Sequence, residues 1–124
     1  MLTSLFSSTP FHVLVCGALD YRDISTLTHT LDRILHYTPI DAVICGCARG
    51  ADTLGAQWAT SLRIPVLRFP PDWDRFGRAA GPIRNAAMLR EGRARFVVAF
   101  STDRGTENMC SQTLAARIPL LRIP

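Results

Sequence analysis

The chain has 124 residues, of which 48% are hydrophobic, and it carries a formal net charge of +4 with a pI near 9.3. This length suits one small core, since domains usually run to about 100–200 residues. No apolar run approaches the roughly 20 residues that a membrane-spanning helix needs, and the opening residues lack the basic start of a signal peptide. We therefore expect a cytoplasmic protein with no membrane association, a flexible tail over residues 1–10 and one domain over residues 11–124.

The basic residues are all arginine, 14 in total, and half of them lie between the third and fourth predicted strands. Arginine pairs phosphate or carboxylate in a bidentate geometry, so this cluster favours an anionic ligand. The alternative is a genomic base composition that replaces lysine by arginine throughout the chain without any function.

Apolar runs and helical stripes alternate along the chain. Strands are predicted at residues 12–16, 42–45, 65–69, 96–100 and 119–123, and helices at residues 26–37, 51–62, 82–91 and 106–117. This order predicts an α/β fold, a Rossmann-like three-layer sandwich with a five-stranded parallel sheet in the order 3-2-1-4-5. Such sheets bind ligands at the carboxyl ends of their strands, so we expect the crevice between the first and fourth strands.

The loop after the second strand has the features of a phosphate-binding turn. Gly46 and Gly50 permit a tight turn, and the helix that follows supplies unpaired N–H groups. Arg49 adds a cation to this loop. Asp52 either caps the helix or accepts a hydrogen bond from a sugar hydroxyl.

The first and fourth loops offer further groups. In the fourth loop, Gly105 and Thr106 supply a flexible turn and a hydroxyl that either caps a helix or binds a phosphate. In the first loop, Tyr21 either stacks on a base or covers the edge of the sheet. Asp20 and Asp23 either accept a hydrogen bond from a ribose or cap a helix.

The third loop is the longest, from residue 70 to residue 81, and it carries Trp73 and Phe76. Loops of about a dozen residues in a small domain are usually functional or disordered, and two aromatic rings oppose disorder. We expect a lid or a partner-binding flap here. Around this loop, Trp73, Phe76 and Met88 predict an apolar patch and hence a homodimer.

The four cysteines form neither a zinc-type pattern nor the dense framework of a small secreted protein. We therefore predict small core residues and no metal site. A redox or metal role for the closely spaced Cys45 and Cys47 is the alternative.

Three motifs stand in the loops: G-C-A-R-G-A-D from Gly46, D-W-D-R-F-G-R-A-A-G-P-I-R-N from Asp72, and R-G-T-E-N-M from Arg104. Together they closely resemble the YspA-type, cpYpsA-related branch of the SLOG superfamily, over residues 13–123. The resemblance implies a Rossmann-like fold that binds nucleotides or nucleotide-derived ligands. The superfamily includes the Lonely Guy phosphoribohydrolases and DNA-processing protein A of natural transformation. One departure is Cys47, where relatives usually carry glycine, and another is the segment 101–103, where they often carry a proline-glycine-glycine run.

The resemblance also bears on catalysis. In Lonely Guy hydrolases the motif P-G-G-x-G-T-x-x-E ends in a catalytic glutamate, and the matching residue here is Met109. A thioether can neither move a proton nor stabilise an oxocarbenium-like centre, so that hydrolysis cannot run through this position. Glu107, two residues away on a helix, faces roughly the opposite side and is a poor substitute. We expect binding without turnover, and Asp20 and Asp52 are the candidate catalytic residues if the chain is an enzyme.

The leading hypothesis is a small protein of the sensor type that binds a nucleotide or nucleotide derivative. The alternatives are an enzyme that cleaves an N-glycosidic or phosphate-ester bond of a nucleotide, and a nucleic-acid-binding protein. The arginine cluster and the high pI favour nucleic acid, while the modest net charge opposes it. The predicted ligand-binding residues come from all four loops: Gly17, Asp20, Tyr21, Gly46, Arg49, Gly50, Asp52, Trp73, Arg78, Arg84, Asn85, Arg104, Gly105 and Thr106.

Overall fold

The computed structural model describes residues 9–101 and 103–124. The strands are β1 (His12–Gly17), β2 (Ala42–Cys45), β3 (Val66–Arg68), β4 (Ala94–Phe100) and β5 (Leu120–Ile123). The helices are α1 (Ile24–Tyr37), α2 (Ala51–Ser61), α3 (Trp73–Phe76), α4 (Ala80–Arg90) and α5 (Arg104–Ala115), and a 3-10 turn at Gly77–Ala79 joins α3 to α4.

These strands run parallel in the order β3-β2-β1-β4-β5, which confirms the predicted fold class and strand order. The chain moves outward from β1 through β2 to β3, and then crosses back to begin β4 on the other side of β1. The carboxyl ends of β1 and β4 therefore form the switch point at which such sheets leave a crevice.

Alternate residues of each strand face opposite sides of the sheet, which produces three layers. Val13 and Val15 of β1 belong to an apolar cluster with residues of α1 and α2. Leu14 and Cys16 belong to a second cluster with residues of α4 and α5. The strands are thus covered on both faces, as the continuous apolar runs in the sequence indicate.

The predicted third loop contains regular structure. Asp72 accepts a hydrogen bond from Arg75 N at 3.1 Å and so caps a helical turn, and residues 73–79 form α3 and the 3-10 turn. Helix α4 begins at Ala80, two residues before the predicted start at Pro82. Proline is tolerated there because the first N–H groups of a helix have no intrahelical partner. The segment expected to be an irregular flap therefore leads directly into α4.

The remaining elements begin and end within two residues of their predicted bounds. Asp23 caps α1 through a 3.0 Å hydrogen bond from Thr26 N, which is the structural alternative predicted for it. None of the helices in the described ranges is both long and apolar enough to span a bilayer. Residues 1–8 of the predicted tail and Thr102 of the fourth loop lie outside the described residues.

Candidate functional site

A cavity of about 550 Å³ lies at the carboxyl ends of β1 and β4, between the loop after β2 and helices α3 to α5. This volume is within the roughly 300–1,000 Å³ typical of small-molecule sites. We refer to it as the switch-point cavity. Ten of the predicted ligand-binding residues line it: Gly17, Gly46, Asp52, Trp73, Arg78, Arg84, Asn85, Arg104, Gly105 and Thr106.

The other predicted residues line a neighbouring cavity of about 830 Å³, which we call the side cavity: Asp20, Tyr21, Arg49 and Gly50. Leu19 and Asp103 line both cavities, so the two adjoin. The sequence predicts these residues as one site, whereas the structure places them in two adjoining cavities. The candidate catalytic carboxylates are among those separated, with Asp20 in the side cavity and Asp52 in the switch-point cavity.

Arg84 and Asp52 both lie close to Gly46. The Arg84 guanidinium donates a hydrogen bond from Nη1 to the Gly46 carbonyl oxygen. An ideal Cβ on Gly46 would lie 2.6 Å from Arg84 Nη1 and 2.8 Å from Asp52 Oδ2, so any side chain would displace one of these groups. The closeness of these two charged side chains therefore explains why residue 46 is a glycine.

Asp52 is the buried carboxylate of the switch-point cavity, with 6% of its surface exposed. Its Oδ2 accepts a hydrogen bond from Ala48 N at 3.2 Å. Burial raises the pKa of this carboxyl to about 6, while the hydrogen bond from Ala48 and the charge of Arg84 act in the opposite direction. Asp52 therefore gains and loses a proton close to neutral pH.

Asn85 is buried and ties Arg84 to α5. Its Oδ1 accepts a hydrogen bond from Arg84 Nε at 2.9 Å. Its Nδ2 donates to Asn108 Oδ1 at 3.0 Å and to the Gly105 carbonyl oxygen at 3.4 Å, and Gln112 Nε2 donates to the same Asn108 oxygen at 2.8 Å. Both amide hydrogens of Asn85 have protein partners, so its side chain orients Arg84 and has no donor left for a ligand.

Asp103 caps the start of α5. Its Oδ1 accepts hydrogen bonds from Thr106 N at 2.9 Å and from Thr106 Oγ1 at 2.8 Å, while its Oδ2 accepts from Leu19 N at 3.2 Å. The Thr106 hydroxyl therefore takes part in the cap, which is the structural alternative predicted for it. A carboxylate of the chain itself therefore occupies the start of α5, where the other predicted alternative places a phosphate.

Two residues of the side cavity have structural roles. Gly50 has a φ of 73°, and a Cβ there would collide with the carbonyl oxygens of Ala18 and Leu19. The Tyr21 ring packs against Phe100, with the ring centroids 5.4 Å apart. Tyr21 thereby covers the edge of the apolar cluster on the α1–α2 face of the sheet.

Sulfur side chains form an apolar wall of the switch-point cavity. Met88, Met109 and Cys16 line it, and all three are buried in the cluster on the α4–α5 face of the sheet. Met88 is 2% exposed, so the prediction that it contributes to a surface patch is wrong.

Burial raises the pKa of Cys16 well above its ordinary value and the pKa of Cys45 to about 11, which keeps both thiols protonated at neutral pH.

Three arginines line the switch-point cavity. Arg78 and Arg104 are exposed, and Arg84 is half-buried. Within residues 9–101 and 103–124, an ion pair joins Arg122 to Glu107, and no carboxylate lies within 4.0 Å of the three cavity arginines. These three arginines therefore form no ion pair with a described carboxylate, although Arg84 donates hydrogen bonds to Gly46 and Asn85.

Sequence reasoning missed Asp103, Asn108 and Cys16 as residues of this cavity. Asp103 precedes Thr106 by three residues, which is the spacing of a capping side chain, and this signal identifies it. Asn108 lies about one helical turn after Arg104 and so shares its helix face. Cys16 lies near the carboxyl end of a central strand, next to the predicted loop.

The fold and the sequence are similar to those of known proteins. The family model described as YspA, cpYpsA-related SLOG family matches residues 11–76. The Gene 61 protein of Mycobacterium phage D29 is 33% identical over 117 residues, which cover 88% of this chain and 93% of that protein. The X-ray structure of DNA processing protein A from Streptococcus pneumoniae shares the fold, with a TM-score of 0.70 at 14% identity; the match covers 94% of this chain and about half, 51%, of that chain. The present chain belongs to the YspA, cpYpsA-related SLOG family.

Proposed function

We propose that this protein binds a small nucleotide or nucleotide derivative in the switch-point cavity, as a binding protein of the sensor type. The observation that carries the proposal is the presence of Arg78, Arg84 and Arg104 around a cavity of ligand size, with no described carboxylate in contact with them. Guanidinium groups bind phosphate in a bidentate geometry, so a phosphorylated ligand offsets their charge.

The apolar part of the cavity supports a ligand that also carries an aromatic base. Trp73 lines the cavity although 57% of its surface is exposed, so its indole ring is available for stacking. Stacking of a base on an aromatic side chain contributes about 1–3 kcal/mol. Met88 and Met109 line the apolar side of the cavity, and thioethers make favourable contacts with aromatic rings. A ligand that joins a nucleobase to a phosphate therefore matches both the apolar and the cationic side chains of the cavity.

Isothermal titration calorimetry with the mono- and diphosphates of the four ribonucleosides tests this proposal. We expect one class of nucleotide to bind, and we expect Arg78→Ala and Arg104→Ala each to weaken it by roughly tenfold or more. Arg33→Ala is the matched control, because it removes the same charge from an exposed position on α1. Binding of no nucleotide, or equal losses in all three variants, would overturn the proposal.

Nucleic acid is the alternative partner that the excess of arginine favours. Titration with a single-stranded oligonucleotide at several salt concentrations distinguishes the two ligands, because log K falls with log salt by about 0.7 for each phosphate neutralised on a single strand. Tight, strongly salt-dependent oligonucleotide binding that mononucleotides do not inhibit would support the alternative.

Hydrolysis of a nucleotide at Asp52 is the second candidate function. A buried carboxyl inside a cavity, with a pKa of about 6, has the properties of a general acid or base. The position that matches the Lonely Guy glutamate holds the buried Met109. Glu107, the acid two residues before Met109, forms an ion pair with Arg122 at 3.1 Å. Asp52 is therefore the acid that this candidate function uses.

Incubation with adenosine monophosphate, followed by chromatography of free adenine and of inorganic phosphate, tests for turnover. Release that Asp52→Asn abolishes and Glu91→Gln preserves would support the enzyme. Glu91 is a suitable control because it is an exposed acid at the far end of α4. Release no faster than in buffer alone favours binding without turnover.

A further inference from the structure

Carboxylates of the chain itself lie near the two helix starts beside the switch-point cavity. Asp103 caps α5. Asp52 lies in the first turn of α2, and its side chain accepts a hydrogen bond at 3.2 Å from Ala48 N of the preceding loop, while no side chain caps α2. A phosphate placed at either helix start would approach the negative charge of one of these carboxylates, which opposes the attraction of the helix dipole. The cavity arginines remain as the cationic place for a phosphate.

The two carboxylates differ in the hydrogen-bonding capacity that they have left. Asp103 already accepts three hydrogen bonds from the protein, two from Thr106 and one from Leu19. A carboxylate offers about four lone-pair sites, and the side-chain oxygens of Asp52 receive the hydrogen bond from Ala48. Asp52 is 6% exposed and lines the cavity, so a ligand donor there replaces little water.

Building on the function proposed above, we infer that Asp52 accepts hydrogen bonds from the ribose hydroxyls of the ligand while the cavity arginines hold its phosphate. The loop with the sequence of a phosphate-binding turn is then the sugar-recognition element. The site consequently selects ribonucleotides over nucleotides that lack these hydroxyls. A buried acceptor left without its donor makes such discrimination large, because its desolvation is not compensated.

Calorimetry with adenosine monophosphate and its 2′-deoxy and 2′,3′-dideoxy analogues tests this inference. If another nucleotide binds more tightly in the first panel, its own three forms are used. We expect the dideoxy form to bind the wild-type protein about tenfold or more weakly than the ribonucleotide, and the 2′-deoxy form to show which hydroxyl is read. In Asp52→Asn we expect the ratio of the ribonucleotide affinity to the dideoxynucleotide affinity to fall below about threefold. Glu91→Gln should keep the wild-type ratio. The ratio isolates the coupling between carboxylate and hydroxyl from any general loss of affinity.

The outcomes separate this inference from the proposed function. Equal binding of the three forms by the wild-type protein would overturn sugar recognition and leave nucleotide binding intact, and this comparison needs no variant to fold. A wild-type ratio that Asp52→Asn preserves would place the hydroxyls elsewhere and also overturn the inference. Failure of all nucleotides to bind would overturn both.

Discussion

Arg84 Nε donates a 2.9 Å hydrogen bond to Oδ1 of Asn85, the next residue along α4. Neighbouring residues on a helix diverge by about 100°, so the long arginine side chain must turn back to reach its neighbour. Asn85 is itself held by Asn108 of α5 at 3.0 Å. The pair therefore fixes a cation between α4, α5 and the loop after β2, where Arg84 also contacts Gly46.

Removal of this support should destabilise the protein. Asn85 is 3% exposed, and Asn85→Ala leaves Arg84 Nε without its acceptor, so we expect the free energy of unfolding to fall by roughly 1–3 kcal/mol in urea denaturation. Gln57→Ala, an amide on the exposed face of α2, should change it by less than about 0.5 kcal/mol. Similar losses in the two variants would contradict a supporting role for Asn85.

Variants of Arg49 and Arg78 test which of the two cavities binds the ligand. Arg49 lines the side cavity and Arg78 the switch-point cavity. For the nucleotide that binds, we expect Arg78→Ala to cost roughly 1.5–3 kcal/mol of binding free energy and Arg49→Ala less than about 0.5 kcal/mol, measured by calorimetry. The reverse order would move the ligand to the side cavity and contradict the proposed site.

The burial of Asp52 predicts a specific pH dependence of stability. Its pKa is about 6 in the folded protein, against an ordinary value of 3.8. Between these values the native state binds more protons than the unfolded chain, so this group makes the free energy of unfolding fall as the pH rises from about 4 to 6. A pKa difference of this size corresponds to roughly 3 kcal/mol.

Asp52→Asn keeps the shape of the side chain but does not ionise. We therefore expect the variant to be more stable than the wild type at pH 7, and to lose the decline between about pH 4 and 6, in urea denaturation over a pH series. Glu91→Gln should retain the decline. An unchanged pH profile in Asp52→Asn would show that Asp52 is not the group responsible.

Exposed apolar side chains along α3 and α4 predict a homodimer. Trp73, Phe76 and Ile83 are 57%, 37% and 44% exposed, and a patch of this kind is typical of an interaction surface. We expect light scattering at micromolar concentration to give about twice the 13.7 kDa mass of the chain. The double variant Phe76→Ser, Ile83→Ser should be monomeric, whereas Leu114→Ser, at an exposed position on α5, should not. A monomer mass for the wild type would contradict the prediction.

The sequence by itself predicted the fold class and the strand order, which the structure confirms, and the edge of the sheet at which a ligand site is expected. The apolar runs around Val13 and Val97 belong to strands that are buried on both faces, and such runs alternate with helical stripes only in parallel α/β folds. The handedness of the crossovers then leaves few topologies. The apolar runs and helical stripes are local signals, so one chain was enough to interpret them.

Only the tertiary structure decided which polar residues share a cavity. Arg84 meets Gly46 across 38 positions of sequence, and Leu19 meets Asp103 across 84. Both contacts depend on how α4 and α5 pack on the sheet, which no local pattern encodes. Asp52 was visible in the sequence as a carboxylate beside a glycine turn, but its burial and its raised pKa follow from that packing, because desolvation depends on everything that surrounds a charge.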